Sequence, residues 1–231
     1  MDAGDVTAAP DITVRFSPDI FRTQRYGGVS RYIAELHRGL LARGVDSSII
    51  AGLHRSALIG ELPHVRGLDV DRLRPTKVRQ GLTRAVDVAA SQWATGRLRP
   101  GDIWHASYFP QVLPRTGRFV VTVYDMIHER FPAEISPRDL TPQVKRRACE
   151  AADLIFAISH DTAADLCDRF DVDPDRVVVT HLGVRVVEPA TVAAPFDGAP
   201  FVLSVGDRSM PHKNWTGLLD AIALIGPAAR L

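Results

Sequence analysis

"DITVRFSPDIFRTQRYGGVSRYIAELHRGLLARGVDSSIIAGL", residues 11–53, is the stretch on which the fold turns. Ile12, Val14 and Phe16 alternate with polar residues, which predicts a strand over 11–16, and Ser17-Pro18 ends it. After Gly27-Gly28 the period changes. Val29, Tyr32, Ile33, Leu36, Leu40 and Leu41 fall on one face of a helix, and Gly44 follows where a C-terminal cap belongs. "SSIIAGL" (47–53) then predicts a second strand. Strand, glycine pair, helix and strand in this order form a βαβ unit. The glycine pair has two readings at this point: a turn, or a bare backbone that lets an anion approach the unpaired N–H groups of a helix start.

The same alternation continues along the chain. The spacing of Leu82, Val86, Ala89 and Trp93 predicts a helix over 77–94 with those residues inward. "DIWHA" (102–106) and "RFVVTVYD" (118–125) are short apolar runs bounded by Pro and Gly, as in buried parallel strands. A helix is predicted over 138–151 and a strand over 154–159. Ser159 would cap the helix "HDTAADLCDRF", with Asp161 in its first turn. "RVVVTHLGV" (176–184) closes the series. The expected fold is α/β, a doubly wound Rossmann-like parallel sheet. Ligands of such sheets bind beyond the carboxyl ends of the strands, which singles out the loop 17–28, His105 to Phe109, Tyr124 to His128, Ser159 and His181.

Residues 1–10 read as a loose acidic tail and 11–188 as one domain, with a linker over 189–199 inside a Pro- and Ala-rich stretch. Over 200–231 the chain starts afresh: "PFVLSVG" as a strand, "DRSMPHKN" as a polar loop, "WTGLLDAIALI" as a helix. One βα unit is too small to bury its own core, so this segment reads as the start of an incomplete second Rossmann-like domain.

Composition narrows the function classes. An apolar fraction of 45%, a charged fraction of 24% and a net charge of +1 fit a soluble domain with no global field directed at nucleic acid. Cys149 and Cys167 lack metal-ligand spacing and read as reduced thiols, in keeping with the cytoplasm. No apolar run is long enough to cross a bilayer, and the first ten residues lack the order of a signal peptide. No G-x-G-x-x-G follows the first strand, and there is no phosphate-binding G-x-x-x-x-G-K-[ST], no H-E-x-x-H and no G-x-S-x-G. From Arg72 to Arg99 basic residues dominate (Arg72, Arg74, Lys77, Arg79, Arg84, Arg97, Arg99), either as a solvated helix face or as a surface for anionic lipid.

Six segments in order carry a resemblance: "QRYGGVSRYIAEL", "WHASYFPQVLP", "VVTVYDMIHERFP", "ADLIFAISHDTAADL", "RVVVTHLGV" and "FVLSVGDRSMPHKN". Together they resemble the family 4 glycosyltransferases, retaining enzymes of the two-domain GT-B fold. The resemblance implies an N-terminal acceptor domain, a C-terminal nucleotide-sugar domain and reaction in the cleft between them. It implies that Gly27 and Gly28 face the donor diphosphate and that Arg208 and Lys213 offset the charge of the departing nucleotide, with no metal and no cofactor. Tyr124 stands where the family commonly has histidine, next to Asp125; these two are the implied catalytic pair. Tyr124 would position a sugar hydroxyl or cap the strand end, since tyrosine cannot shuttle a proton near neutral pH. His105, Tyr108 and His128 would lie on the acceptor side, while Ser159 and His181 would hold loops.

The implied reaction transfers a sugar, with mannose as the first guess, from a nucleoside-diphosphate sugar to a glycan or lipid-linked acceptor with retention. The family's glutamate pair would lie beyond Leu231, so the chain is expected to be inactive alone, or to act with a separate C-terminal domain as one subunit of a split enzyme. A non-catalytic glycan- or partner-binding module and a sugar-nucleotide epimerase are the competing readings. The expected location is cytoplasmic, with room for peripheral contact at the inner face of the membrane.

Overall fold

A computed structural model describes residues 12–70, 77–184, 201–206, 208 and 213–226, and for 77–80 the backbone alone. Seven parallel strands form one sheet in the order β3-β2-β1-β4-β5-β6-β7. They are β1 (Thr13–Phe16), β2 (Asp46–His54), β3 (Val65–Asp69), β4 (Ile103–Ala106), β5 (Arg118–Val123), β6 (Leu154–Ala157) and β7 (Val177–Val179). The helices are α1 (Asp19–Thr23), α2 (Gly28–Ala42), α3 (Lys77–Thr95), α4 (Ile127–Arg130), α5 (Thr141–Ala151), α6 (His160–Phe170) and α7 (Trp215–Ile225). The order reverses between β1 and β4, as in a doubly wound Rossmann-like sheet, so the expected fold class holds. The chain divides into two compact units, Met1–Leu182 and Gly183–Leu231.

Apolar period builds the sheet. β5 is buried from Phe119 to Val123, as a central parallel strand covered on both faces must be. One apolar cluster joins Phe16 of β1, Ile33 of α2 and Ile49 of β2. A second joins Trp104, Val121 and Ile155 of the central strands to Cys149 of α5 and Leu166 of α6. The α2 helix is pinned at its rear by His37, which is fully buried between the Ser47 hydroxyl (2.8 Å) and the Pro63 carbonyl (2.9 Å). A carbonyl only accepts, so Nε2 holds the proton and Nδ1 accepts from Ser47. Burial lowers the His37 pKa and keeps that ring neutral. At α6 the Ser159 hydroxyl accepts from the Thr162 N–H at 3.1 Å, the cap the sequence predicts.

Several expectations need correction. The loop over 17–28 contains α1, and β3 and α4 lie in stretches with no predicted element. The strand predicted over 176–184 is reduced to three residues. The strand predicted over 200–206 is absent among the described residues: Phe201 makes a single bridge, and Leu203 and Val205 are exposed by 77% and 88%. One bridged position makes too short a ladder to be a strand. The helix predicted after it forms as α7, opened by the Asn214 side chain accepting from Gly217 N–H. The tail 1–10, residues 71–76 with Arg72 and Arg74, and the linker 189–199 lie outside the described residues.

The orientation of α3 is the largest correction. Leu82, Ala89 and Trp93 are exposed and Val86 is half-buried, whereas Thr83, Asp87, Ser91 and Thr95 are buried. A register shift between Ile50 and Gly52 of β2 explains the inversion. Gly52 has φ +57°, which favours glycine, and a Cβ there would strike the Asp87 carboxylate. Asp87 Oδ1 accepts from the Leu53 N–H at 3.3 Å, and Oδ2 lies 3.0 Å from Arg22 of α1. Nearby the Arg15 guanidinium donates to the Ala94 carbonyl at 2.8 Å. Polar groups exposed by the bulge draw the polar face of α3 inward.

Burial raises the Asp87 pKa to about 7, against the opposing pull of Arg22. A carboxyl whose folded pKa lies above its unfolded value contributes stability below the unfolded value, near 4, and that contribution is lost as pH rises to about 7. His37 and His54, whose pKa values are lowered by burial, act with the opposite sign over part of that range. Comparing Asp87→Asn with the parent cancels them. The difference in melting temperature, variant minus parent, is expected to grow between pH 4.5 and pH 7.5; a flat difference would show that Asp87 titrates as in the unfolded chain.

Candidate functional site

Where β1 and β4 part, their ends are tied together by side chains. Ser17 N–H donates to the His105 carbonyl at 3.1 Å, and Ser107 N–H donates to the Ser17 hydroxyl at 2.9 Å. The Ser17 hydroxyl donates to Asp19 at 2.6 Å, and Ile20 N–H donates to the Ser107 hydroxyl at 3.2 Å. All of these polar groups are buried. Burial raises the Asp19 pKa, with the Ser17 hydrogen bond and Arg22 pulling the other way. The network holds the floor of the crevice in which doubly wound sheets bind their ligands.

Gly27 and Gly28 begin α2 at the rim of this crevice. Gly27 is extended (φ −179°), a conformation open to any residue, so its need for glycine is spatial. A Cβ there would collide with the Gln24 side-chain amide, whose Oε1 accepts from the Ser30 N–H at 3.3 Å. Gly28 faces open space. One turn on, Tyr32 meets Tyr124 edge-to-face at 5.8 Å, which sets the start of α2 beside the end of β5.

Tyr124 follows β5 directly and is buried, and among the described residues its hydroxyl has no hydrogen-bond partner. Burial drives its pKa well above the usual value, so it stays protonated. Asp125 is half-buried; its carboxylate accepts from Ile127 N–H at 3.2 Å and so opens α4. Tyr108 packs on Phe109 at 4.4 Å, and burial together with the charges of Asp125, Asp139 and Glu129 lifts its pKa to about 12. His128 Nε2 lies 3.5 Å from Asp139, and its Nδ1 is buried without a partner among the described residues. Tyr108, Tyr124, Asp125 and His128 therefore gather at one end of the sheet with the glycine pair. His105 lies beneath them, enclosed. Its Nε2 meets the Thr122 hydroxyl at 2.9 Å, and burial lowers its pKa to about 3. It therefore supports the strand ends as a neutral ring and presents no surface to a ligand.

Sequence reasoning missed a buried ion pair below Asp125. Lys145 of α5 is fully buried and donates to Glu129 (2.7 Å) and to the Asp125 carbonyl (3.1 Å), with its ammonium 5.4 Å from the centre of the Phe109 ring. The other Glu129 oxygen has no partner among the described residues. Two further predicted residues, Arg208 and Lys213, lie in the second unit. Arg208 is exposed and stacks over the Trp215 ring at 4.4 Å, and Lys213 is exposed. Ser159 caps α6, and His181 Nδ1 meets the Ile158 carbonyl at 3.2 Å, both holding loops as expected. Both cysteines are free, and burial pushes the Cys149 thiol up to about 12. Among the described residues no group of three or more His, Cys, Asp or Glu side chains is placed to hold a metal ion, and no helix is long and apolar enough to cross a membrane.

The reversal point of the parallel sheet, rimmed by glycines, aromatic rings and a carboxylate, marks a Rossmann-like domain, a class whose ligands bind at this place. The pattern of Glycosyltransferase Family 4 matches residues 26–188, and the chain belongs to that family. A solved structure, the crystal structure of a glycosyltransferase from Rickettsia africae ESF-5, is similar at 17% identity and a TM-score of 0.45, over 76% of this chain and 44% of that one. The chain thus spans less than half the length of that protein. No curated protein matches it.

Replacing Lys145 by Met would strand the Glu129 carboxylate in the interior. Removing one partner of a buried pair costs about 3 kcal/mol or more, whereas removing both with apolar groups of similar size is close to neutral. Urea melts of Lys145→Met are expected to show that loss, and Lys145→Met with Glu129→Leu should recover most of it. A double variant no more stable than the single one would place the cost elsewhere.

Proposed function

We propose that the chain carries the acceptor-side part of a retaining glycosyltransferase that moves a sugar from a nucleoside-diphosphate sugar to a glycan or lipid-linked hydroxyl at the cytoplasmic face of the cell. The observation that carries this reading is the coincidence of two independent facts. The family match spans residues 26–188, and within that span the glycine pair, Tyr108, Tyr124, Asp125 and His128 gather at the ligand-binding end of the sheet. Mannose is the donor sugar to try first.

In this reading the open backbone at Gly28 and the N–H groups of the first turn of α2 receive the donor diphosphate. Arg208 and Lys213 supply cations that offset the negative charge growing on the leaving nucleotide, the role a metal plays elsewhere. Tyr124, protonated and with a spare hydroxyl, donates a hydrogen bond to a sugar hydroxyl and transfers no proton. Asp125 orients the turn that carries His128, and Tyr108 offers a ring face to the acceptor.

The test is transfer from a panel of nucleotide sugars by the longest product of the gene, with the anomeric configuration of the product read by NMR. Transfer with retention, unchanged by EDTA, is expected. Lys213→Ala with Arg208→Ala should lower kcat by about a hundredfold, the scale of losing preorganised charge stabilisation. Turnover of a free nucleotide sugar without acceptor would favour an epimerase. Glycan binding without turnover would favour a binding module.

Tyr124→Phe separates two roles. Among the described residues no hydrogen bond is lost, so stability should hold or rise slightly in a thermal melt. A fall in kcat with an unchanged melt assigns the hydroxyl to the substrate, and unaltered turnover removes it from the mechanism.

A further inference from the structure

The inverted helix α3 leaves a surface that the sugar chemistry does not use. Leu82, Val86, Ala89 and Trp93 recur at helical spacing and form an outward apolar stripe about 16 Å long. Leu82 is 57% exposed and Trp93 42%. The Trp93 ring lies between two guanidinium groups, Arg97 at 4.2 Å and Arg66 of β3 at 5.1 Å. Leu68, two residues beyond Arg66 along the edge strand and so on the same face, is also exposed.

Positive charge dominates along α3. Between residues 81 and 101 the sole carboxylate is Asp87, and it is turned inward; Arg84 (bonded to Gln111), Arg97 and Arg99 (paired with Asp102) are exposed, and β3 adds the exposed carboxylate of Asp69 beside Leu68. The chain as a whole is nearly neutral, so this concentration is local.

We propose that the outward face of α3, with the Arg66 and Leu68 face of β3, docks on an anionic lipid surface. An apolar stripe flanked by arginines, with a tryptophan at the boundary, matches the layer where acyl chains meet head groups. The arginine stems lie along the apolar surface while their charged ends reach lipid phosphates. Two weak signals act together here, apolar burial and cationic attraction, which is what reversible membrane contact requires. A nucleic acid would use the cations and leave Leu82 idle; an acidic protein would not require a bilayer. This docking is independent of sugar transfer, so a chain without transferase activity would show it equally.

The purified chain is mixed with vesicles of phosphatidylcholine alone or with phosphatidylglycerol, and floated through a density gradient. Recovery with the anionic vesicles only, weakening as salt is raised, is expected. Leu82→Glu with Trp93→Glu, and separately Arg66→Ala with Arg97→Ala, should each lower binding about tenfold or more. These side chains are exposed, and thermal melts matching the parent confirm that the variants fold. Trp93→Phe should retain flotation yet lose the quenching of fluorescence by brominated lipid, with buried Trp104 as an internal reference. Equal recovery on neutral and anionic vesicles overturns the proposal, as does unchanged binding by the glutamate variant. Complete competition by single-stranded nucleic acid, with no effect of the apolar substitutions, overturns it in favour of a phosphate-binding surface.

Discussion

Ser17 and Ser107 hold together the place where the sheet changes direction. Beyond β1 and β4 the connections diverge, and past the bond from Ser17 N–H to the His105 carbonyl (3.1 Å) no ladder hydrogen bonds among the described residues keep the two turns at a fixed separation. The two hydroxyls replace them: each accepts a backbone N–H from the other turn, and they lie 3.2 Å apart. Asp19 closes the network by accepting from Ser17. Every residue assigned to the crevice is positioned relative to this knot, because α1 leads from it to the glycine pair and Tyr108 follows it directly. A buried, satisfied polar network costs little when complete and much when broken, which gives the crevice floor a single geometry.

Two further polar devices extend the same logic. Lys145 ties Asp125 and α4 to α5 from below, and Asp87 ties α3 to the bulge of β2 and to α1. Both place a charge in the interior and match it with an opposite one. The apolar clusters make the sheet stable, and these buried charges set where its ligand-binding end lies.

Most of the sheet was legible because apolar period is a local property. β5 is five buried residues in a row, and α2 keeps one apolar face from Val29 to Leu40. β3 was not legible: "VRGLD" is largely exposed at the sheet edge, and edge strands need not alternate. The face of α3 was misread for a physical reason. Its apolar spacing is real, but the bulge at Gly52 turns the Leu53 N–H toward α3, where Asp87 accepts it, and pairing between β2 and β3 is invisible in a linear sequence. In the site, the glycine pair and the Tyr124 to His128 turn were found because they sit at element boundaries. The enclosure of His105 had a signal, since its neighbours in "IWHA" mark a strand covered on both faces. The Lys145–Glu129 pair had none; sixteen residues separate two charges that look like ordinary surface groups.

Gln24 gives the start of α2 an occupant of its own. Its amide oxygen already takes the Ser30 N–H and fills the space above Gly27. An anion arriving there displaces a neutral acceptor, and the gain is a difference between two acceptors, much smaller than the gain from filling a vacancy. A second neutral carbonyl gains almost nothing from such an exchange, whereas a doubly charged group gains the full charge-assisted increment. If the turn receives the diphosphate proposed for it, the amide acts as a threshold that favours strong anions over weak polar solutes.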